Sequence, residues 1–578
     1  MNTSFTISIF ILFCSLYTVN AQINFEDTSI ARDIDFTCGY TPIGNGVSFY
    51  DFDHDGWDDI SFTTEDGQLP KFYKNISGQF FVPITLNIGM VNYRTKQINW
   101  VDFDNDGDSD LFLTSNTNGN RLFKNTGNLS FEDITVPSGL PVTNFLTSGA
   151  SWGDYNNDGF LDVFICNRDF SISTSTPNYL FKNNGDGTFT DVSEVAGIDR
   201  LKHLSFCSAW LDINNDGWQD IYIANDKSAQ PFHRNQLYKN NGDGTFTEIG
   251  ASSGTNALID AMTVTVGDYN ADGWFDIYVT DLETSIFFKN NGDETFTDIA
   301  ALTGTEFNST GWGSIFLDAD NDAYLDLYVS GTNVNTPNVL SAAFYENLGN
   351  DNFQIPNNAG FQNDDRYSYS NAIGDINNDG LVDFVVTNNN DQDIFLWENK
   401  NLENNNWIKV KLQGTTSNRD GIGSVIELSS NGQVQYRYTH CGEGFLAQNS
   451  ASEFMGIGAN TSIDYIKVKW LSGIEDVISN PSINEQITIV EGSSLSINTV
   501  DMASVKLFPN PVKDVINLTS KSAINDIEVF NILQQSVHKI KAINEPEISI
   551  NTTALKPGLY YIVVKTNTTK TTRKFIKK

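Results

Sequence analysis

Histidine, cysteine and methionine are scarce in this chain of 578 residues, at five copies each. The histidines (His54, His203, His233, His440, His538) are scattered, so none anchors a catalytic or zinc-binding constellation. No nucleophile–base motif accompanies a serine or cysteine, and no Gly-rich phosphate loop opens a helix. Beyond Cys14, the cysteines are Cys38, Cys166, Cys207 and Cys441, too few for a disulfide scaffold and wrongly spaced for zinc. Buried thiols packed as small apolar residues are expected, with a Cys166–Cys207 bridge left open. Basic residues are also few, 35 against 72 acidic ones, for a net charge of −37. Such a surface repels phosphates and excludes a nucleic-acid partner. Disorder is excluded as well, because aromatic residues make up 12% of the chain and Phe alone counts 40.

Long apolar runs are absent except at the start, Phe5 to Leu16, which is too short to span a bilayer comfortably. Val19-Asn20-Ala21 follows with small residues at cleavage positions, so residues 1–21 are expected to be a signal peptide that leaves Gln22 first. No transmembrane segment is expected after cleavage.

What is present is a repeat. Asp51-Phe-Asp-His-Asp-Gly-Trp-Asp-Asp59 recurs in kind from Asp102, Asp154, Asp212, Asp268, Asp318 and Asp375, at intervals of 51, 52, 58, 56, 50 and 57 residues. Calcium, a hard cation, takes six to eight oxygen ligands, and alternate residues of a tight loop point inward to supply them. Positions 1, 3, 5 and 9 therefore become candidate ligands, with a backbone carbonyl from position 7. In the first three loops these are Asp51, Asp53, Asp55 and Asp59; Asp102, Asp104, Asp106 and Asp110; Asp154, Asn156, Asp158 and Asp162. The next two offer Asp212, Asn214, Asp216 and Asp220; Asp268, Asn270, Asp272 and Asp276. The last two offer Asp318, Asp320, Asp322 and Asp326; Asp375, Asn377, Asp379 and Asp383. Three or four carboxylates so close together need a cation between them, so up to seven Ca²⁺ are expected. Position 6 is Gly in six loops, where the backbone must turn through a conformation that Cβ disfavours, and Ala323 in the sixth.

The loops are not helical calcium modules. Strand-like runs follow them, such as Leu111-Phe-Leu-Thr114 and Ile221-Tyr-Ile223, where an EF-hand would place a helix. A second signature comes later in each unit, as in Leu180-Phe-Lys-Asn-Asn-Gly-Asp-Gly-Thr-Phe-Thr-Asp191, which reads as a hairpin. Strand, acidic loop, strand, connection, strand, Gly-rich turn and strand make a four-stranded propeller blade, seven times over. Phe25-Glu-Asp27 matches the fourth-strand pattern of Phe131-Glu-Asp133, whereas the seventh unit stops after Ile394-Phe-Leu-Trp-Glu-Asn399. The first strand is thus predicted to complete the last blade and close the ring.

Over Gln22 to Lys400 these repeats resemble the FG-GAP/VCBS family, the integrin-α type of β-propeller, in which such loops bind calcium and the opposite face commonly meets ligands. Ala323 departs from its pattern. After Asn404-Asn405-Asn406 the pattern changes to Trp407-Ile-Lys-Val-Lys-Leu412, a Gly-rich loop with Arg419 and Asp420, Gly442-Glu-Gly-Phe-Leu-Ala-Gln-Asn449 and Asp464-Tyr-Ile-Lys-Val-Lys-Trp470. Alternation predicts a small all-β domain over 405–491, and the strings resemble the ASPIC/UnbV domain. Arg419 and Asp420 are expected to form an ion pair or turn, with contact to a ligand as the alternative. A linker over 492–504 precedes a basic tail, 505–578, with twelve Lys/Arg against five Asp/Glu. Leu507-Phe-Pro-Asn-Pro511, Pro557-Gly-Leu-Tyr560 and the Lys-rich end resemble the type A sorting domain of the type IX (Por) secretion system. That resemblance implies outer-membrane export, with the secretion machinery as a partner.

The expected architecture is all-β: a seven-bladed β-propeller, a small β domain and a C-terminal β-sandwich-like sorting domain. The expected role is a secreted or surface-attached, non-catalytic binding or adhesion module for a glycan or protein. The alternative is an extracellular polysaccharide lyase or hydrolase using the propeller rim. Long second-to-third-strand connections emerge opposite the acidic loops, and they nominate Arg168, Lys227, His233 and Arg234 as ligand-binding residues.

Overall fold

The computed structural model describes residues 23–578 apart from 90–92, 169–175, 227–232, 335, 337–338, 402–404, 495–504, 532–534, 542–543 and 567–569. The signal-peptide reading, Lys227 and most of the linker lie outside the described residues. Two compact units result, Met1–Ser493 and Ser494–Lys578.

The first unit holds seven four-stranded antiparallel blades, six of them spanning 47–84, 95–133, 147–191, 205–248, 264–298 and 311–354. The seventh joins strands within 368–399 to Phe25–Asp27, with Phe25 opposite Asn399 and Asp27 opposite Trp397. The ring closes as the repeat register predicts. Inner strands such as Thr95–Val101 and Ser205–Leu211 are buried along their whole length. They sit between neighbouring blades and therefore carry no polar–apolar alternation. Cores form between adjacent blades from aromatic and β-branched residues, for example Phe52 stacked on Trp100 at 4.9 Å between centroids. Cys38, Cys166, Cys207 and Cys441 are buried free thiols, so the open Cys166–Cys207 bridge does not form.

The small β domain is a sandwich of a three-stranded sheet (Ser452–Gly458, Asn406–Gln413, Gln486–Val490) and a four-stranded one (Gln433–Tyr438, Val425–Ser430, Tyr465–Lys469, Glu475–Ser479). It packs into the same unit as the propeller, and it does so on the acidic-loop side. Its segment between Tyr438 and Ser452 enters the ring. There Ala447–Gln448 adds a parallel strand beside Val47 and Ser48 of the first blade. Gln448 satisfies the second blade's inner strand, accepting from Trp100 N and donating to Trp100 O, both at 2.7 Å. Cys441 O accepts from Trp152 N at 2.9 Å, and Ser450 N donates to Ile373 O at 2.9 Å. Phe445 and Leu446 are fully buried against Phe206, Met262 and Trp312 of the fourth, fifth and sixth blades. This segment plugs the centre of the ring.

The second unit is built around one long strand, Val515–Asn531. Its first half pairs with Val505–Phe508 and Glu545–Asn551, its second half with Ser536–Ile540 and Gly558–Thr566. Ile516, Leu518, Ile527, Val529, Ile562 and Phe575 form its core.

Candidate metal centres

Each acidic loop joins the first and second strands of a blade, and one geometry recurs in all seven. Both oxygens of the position 1 carboxylate accept backbone N–H groups from positions 5 and 6, as Asp51 does from Asp55 and Gly56 at 3.0 Å. The position 5 carboxylate accepts from the position 7 N–H, from Trp57 at 3.1 Å and Tyr324 at 2.9 Å. The position 9 carboxylate accepts from the last Asn of the third strand, as Asp59 does from Asn75 N at 2.7 Å. That Asn also spans blades, Asn183 Nδ2 donating to Phe103 O at 2.8 Å and Asn399 Nδ2 to Ala319 O at 2.7 Å.

Positions 4 and 6 both adopt left-handed backbone. The glycines lie at φ +81° to +94°, and Ala323 takes the same conformation at +83°. A Cβ there costs on the order of 1 kcal/mol, so Ala323→Gly is expected to raise cation affinity at the sixth loop severalfold and leave the others unchanged. Calorimetric titration of the two proteins checks this.

Position 4 has a use that the sequence reading passed over. Asn105 Nδ2 donates to Gly159 O of the next loop at 2.9 Å, Asn157 to Gly217 O at 2.9 Å and Asn215 to Gly273 O at 3.1 Å. Asn321 reaches Gly380 O and Asn378 reaches Gly56 O in the same way, at 3.1 and 2.9 Å. His54 is exposed but also meets Ser109 Oγ of the second loop at 3.2 Å. Only Ala271 interrupts this belt, which runs from loop to loop around the ring. The recurrence of Asn at position 4 in five of seven loops was its sequence signal.

Three loops gather carboxylate oxygens within 4.8 Å of one another: Asp51, Asp53 and Asp59; Asp102, Asp104 and Asp110; Asp318, Asp320 and Asp322. Asp53 Oδ1, Asp104 Oδ1, Asp110 Oδ2 and Asp276 Oδ2 are buried without a hydrogen-bond partner. Such oxygens are costly unless a cation meets them. Burial pushes the carboxyls of Asp59 and Asp110 up to about 9 and those of Asp102 and Asp154 up to about 7. Asp162, Asp220, Asp276, Asp326 and Asp383 are also raised well above the usual carboxylate range by the same cause. The donor set, all oxygen and mostly anionic, fits a hard metal ion.

The small β domain lies against these loops. Asp420 accepts from Asp102 N at 3.4 Å and Arg419 N donates to Asn105 Oδ1 at 2.8 Å, so the pair docks on the second loop. Gly456 N donates to Asp318 Oδ2 at 3.1 Å, and Lys409 and Lys411 lie 3.6 and 3.9 Å from Asp375 and Asp51. The small β domain is thus a cap on the acidic-loop face.

Of the nominated ligand-binding residues that are described, Arg168 and His233 are held within the protein. Arg168 is held by Asp226 at 2.5 Å and stacks over Phe206 at 4.5 Å, and His233 is buried with its ring 5.8 Å from that of His203. Loop length marked the right connections but could not show an ion pair formed across 58 residues. Arg234 is half-buried, donates to Asn256 O at 3.0 Å, and lines a groove of about 310 Å³ with Asp199, Leu201, His203 and Glu248.

Family models match in the same order as these structures. The FG-GAP-like repeat matches residues 51–113, 102–165, 167–223, 212–279 and 268–329, ASPIC and UnbV matches 414–496, and the secretion system C-terminal sorting domain matches 506–578. The chain is an FG-GAP-repeat propeller protein. It carries an ASPIC and UnbV domain as its cap and a sorting domain that marks it for type IX export, to the cell surface or beyond. Among the described residues of this FG-GAP-repeat protein, no helix is long and apolar enough to cross a membrane. It is similar to cartilage acidic protein 1 of Xenopus tropicalis, 26% identical over 262 residues, which cover 41% of this chain and 39% of that protein. The Homo sapiens protein of the same name is 29% identical over 158 residues, 27% of this chain and 22% of that one. The match thus spans about two fifths or less of the curated relatives' length. Among solved structures, an Agrocybe aegerita lectin recognising non-reducing terminal N-acetylglucosamine aligns at 19% identity and TM-score 0.35, over 56% of this chain and 83% of that one. The extracellular domain of the putative one-component system BT4673 from B. thetaiotaomicron aligns at 11% identity and TM-score 0.37, over 96% of this chain and 59% of that one.

Proposed function

We propose that the FG-GAP-repeat protein is an extracellular, calcium-loaded binding module without catalytic activity, engaging a glycan or protein through the face opposite its acidic loops. The observation that carries the calcium reading is the recurrence of buried carboxylate oxygens without partners in loops of one fixed geometry. In each loop the side chains at positions 1, 3, 5 and 9 would hold the ion, with the carbonyl of position 7. Extracellular modules bind calcium with dissociation constants of roughly 10⁻⁴–10⁻³ M, so loops of this kind fill after export and not before it.

The binding reading follows from what the cap leaves open. Strands alternate direction, so the acidic loops and Gly-rich turns share the capped face. The connections between blades and between second and third strands share the other. The groove beside Arg234 and His203 lies on that free face, where long loops on a rigid ring can adapt to ligands. Arg168 would act there by holding its connection to Asp226, and Lys227 belongs to the next connection. Binding is tested by presenting the protein to glycan arrays and to extracellular proteins in calcium and in chelator. Capture in calcium that weakens at least severalfold in Arg234→Ala, with calcium content unchanged, is the expected result. Cleavage of a polysaccharide by the pure protein would overturn it in favour of a lyase or hydrolase.

A further inference from the structure

The seven loops share a geometry but not a charge, and the difference sits at one position. The last Asn of each third strand is fixed, because its N–H bonds the position 9 carboxylate at 2.7 Å in the first four blades and 2.8 Å in the last three. The residue just before it is therefore set at the mouth of the same loop. It is a lysine in the first five blades, from Lys74 to Lys289, and a glutamate in the last two, Glu346 and Glu398.

The lysines reach what the cation needs. Lys74 pairs with Asp53 and lies 3.0 Å from Asp55, so it touches positions 3 and 5 of the first loop. Lys124 pairs with Asp104 and lies 3.2 Å from Asp106, the same two positions of the second loop. Lys182 is 3.2 Å from Asp158. Farther on the contact loosens, since Lys239 turns to Glu294 and Lys289 is 3.9 Å from Asp351. Glu398 is neutralised by Arg32 and by Lys400, the latter at 2.5 Å. Glu346 has no such cation among the contacts described: Gln354 donates to it at 2.7 Å, and its charge bears on Asp322.

The first, second and sixth loops thus invite a comparison, with Ala323 a second difference at the sixth. All three have Asp at positions 1, 3, 5 and 9, but an ammonium lies across two carboxylates in the first two, and a fifth carboxylate stands at the sixth. A divalent cation entering the first or second loop must displace the lysine head, whereas at the sixth it gains an added attraction. Resting on the calcium reading above, we propose that the residue before the last Asn of the third strand sets the cation affinity of the first, second and sixth loops. Lysine gates the first two loops, and Glu346 makes the sixth a high-affinity site that holds its ion when the others empty.

The test uses the full chain, terbium as a luminescent probe and calcium as its competitor. Position 7 supplies built-in donors, Trp57 in the first loop and Tyr324 in the sixth. The part of the Trp-sensitised signal lost in Trp57→Phe identifies the first loop. Lys74→Gln is expected to raise calcium affinity at that loop about tenfold, the equivalent of about 1.4 kcal/mol. Glu346→Gln is expected to lower the affinity of the tightest calorimetric site by a similar factor. Lys124→Gln repeats the first comparison at the second loop, should Lys74→Gln disturb folding. Loops that bind with affinities unmoved by all three changes would overturn the gating while leaving the calcium reading standing. A wild-type chain that binds no cation would overturn both.

Discussion

Chelating calcium is expected to lower the melting temperature of the FG-GAP-repeat protein by more than ten degrees. An ion that binds only the folded state adds about 1.4 kcal/mol when its concentration exceeds the dissociation constant tenfold, and seven loops are present. For domains of 150–250 residues each kcal/mol moves the transition by roughly 2–4 °C. The structure adds a reason for the loss to spread. Position 4 asparagines tie five of the seven loops to the next, so a loop that loosens there releases a strut as well as an ion. The cap rests on the same loops through Asp420, Gly456 and Lys409 and should loosen with them. Scanning calorimetry in millimolar calcium and in excess chelator measures the shift. Coincident melting curves would refute the role given to the ion.

The blades were legible because their signal is local and repeated. A nine-residue acidic loop, a β-branched run and an Asn-Gly turn each specify their own backbone, and the period sets the number of blades. Closure was legible for the same reason, since Phe25-Glu-Asp27 is a fourth strand without a blade and Asn399 ends a blade without a fourth strand. Ala323 could be placed in left-handed backbone because six glycines in register define that position. Long-range pairings were not legible. Nothing around Arg168 announces Asp226, and the strings between Gly442 and Asn449 have no period linking them to the propeller. One signal was available there. Gly442 and Gly444 adopt φ +83° and +71° in a segment that carries the apolar pair Phe445-Leu446, and a loop of that kind needs cover.

That pair supplies the other large expected effect. Phe445 is fully buried among Phe206, Trp312 and Tyr369, with ring centroids 5.6, 5.1 and 6.5 Å away, so it touches the fourth, sixth and seventh blades from within the ring. Cutting a buried Phe to Ala removes its transfer energy and leaves a cavity, for about 3–5 kcal/mol. Little relaxation can fill this one, because the surrounding inner strands are locked by pairing within their own blades. Phe445→Ala is therefore expected to lower the stability of propeller and cap together, in one transition. Val477→Ala, at a site 44% exposed in the cap, should change it by no more than a few tenths of a kcal/mol. Calorimetry resolves the alternatives, with tryptophan fluorescence following the Trp-rich inner strands of the propeller. If Phe445→Ala melted the cap early and left the tryptophan transition in place, the plug would be a passive filling. A single transition displaced as a whole would show that the ring depends on the segment that enters it.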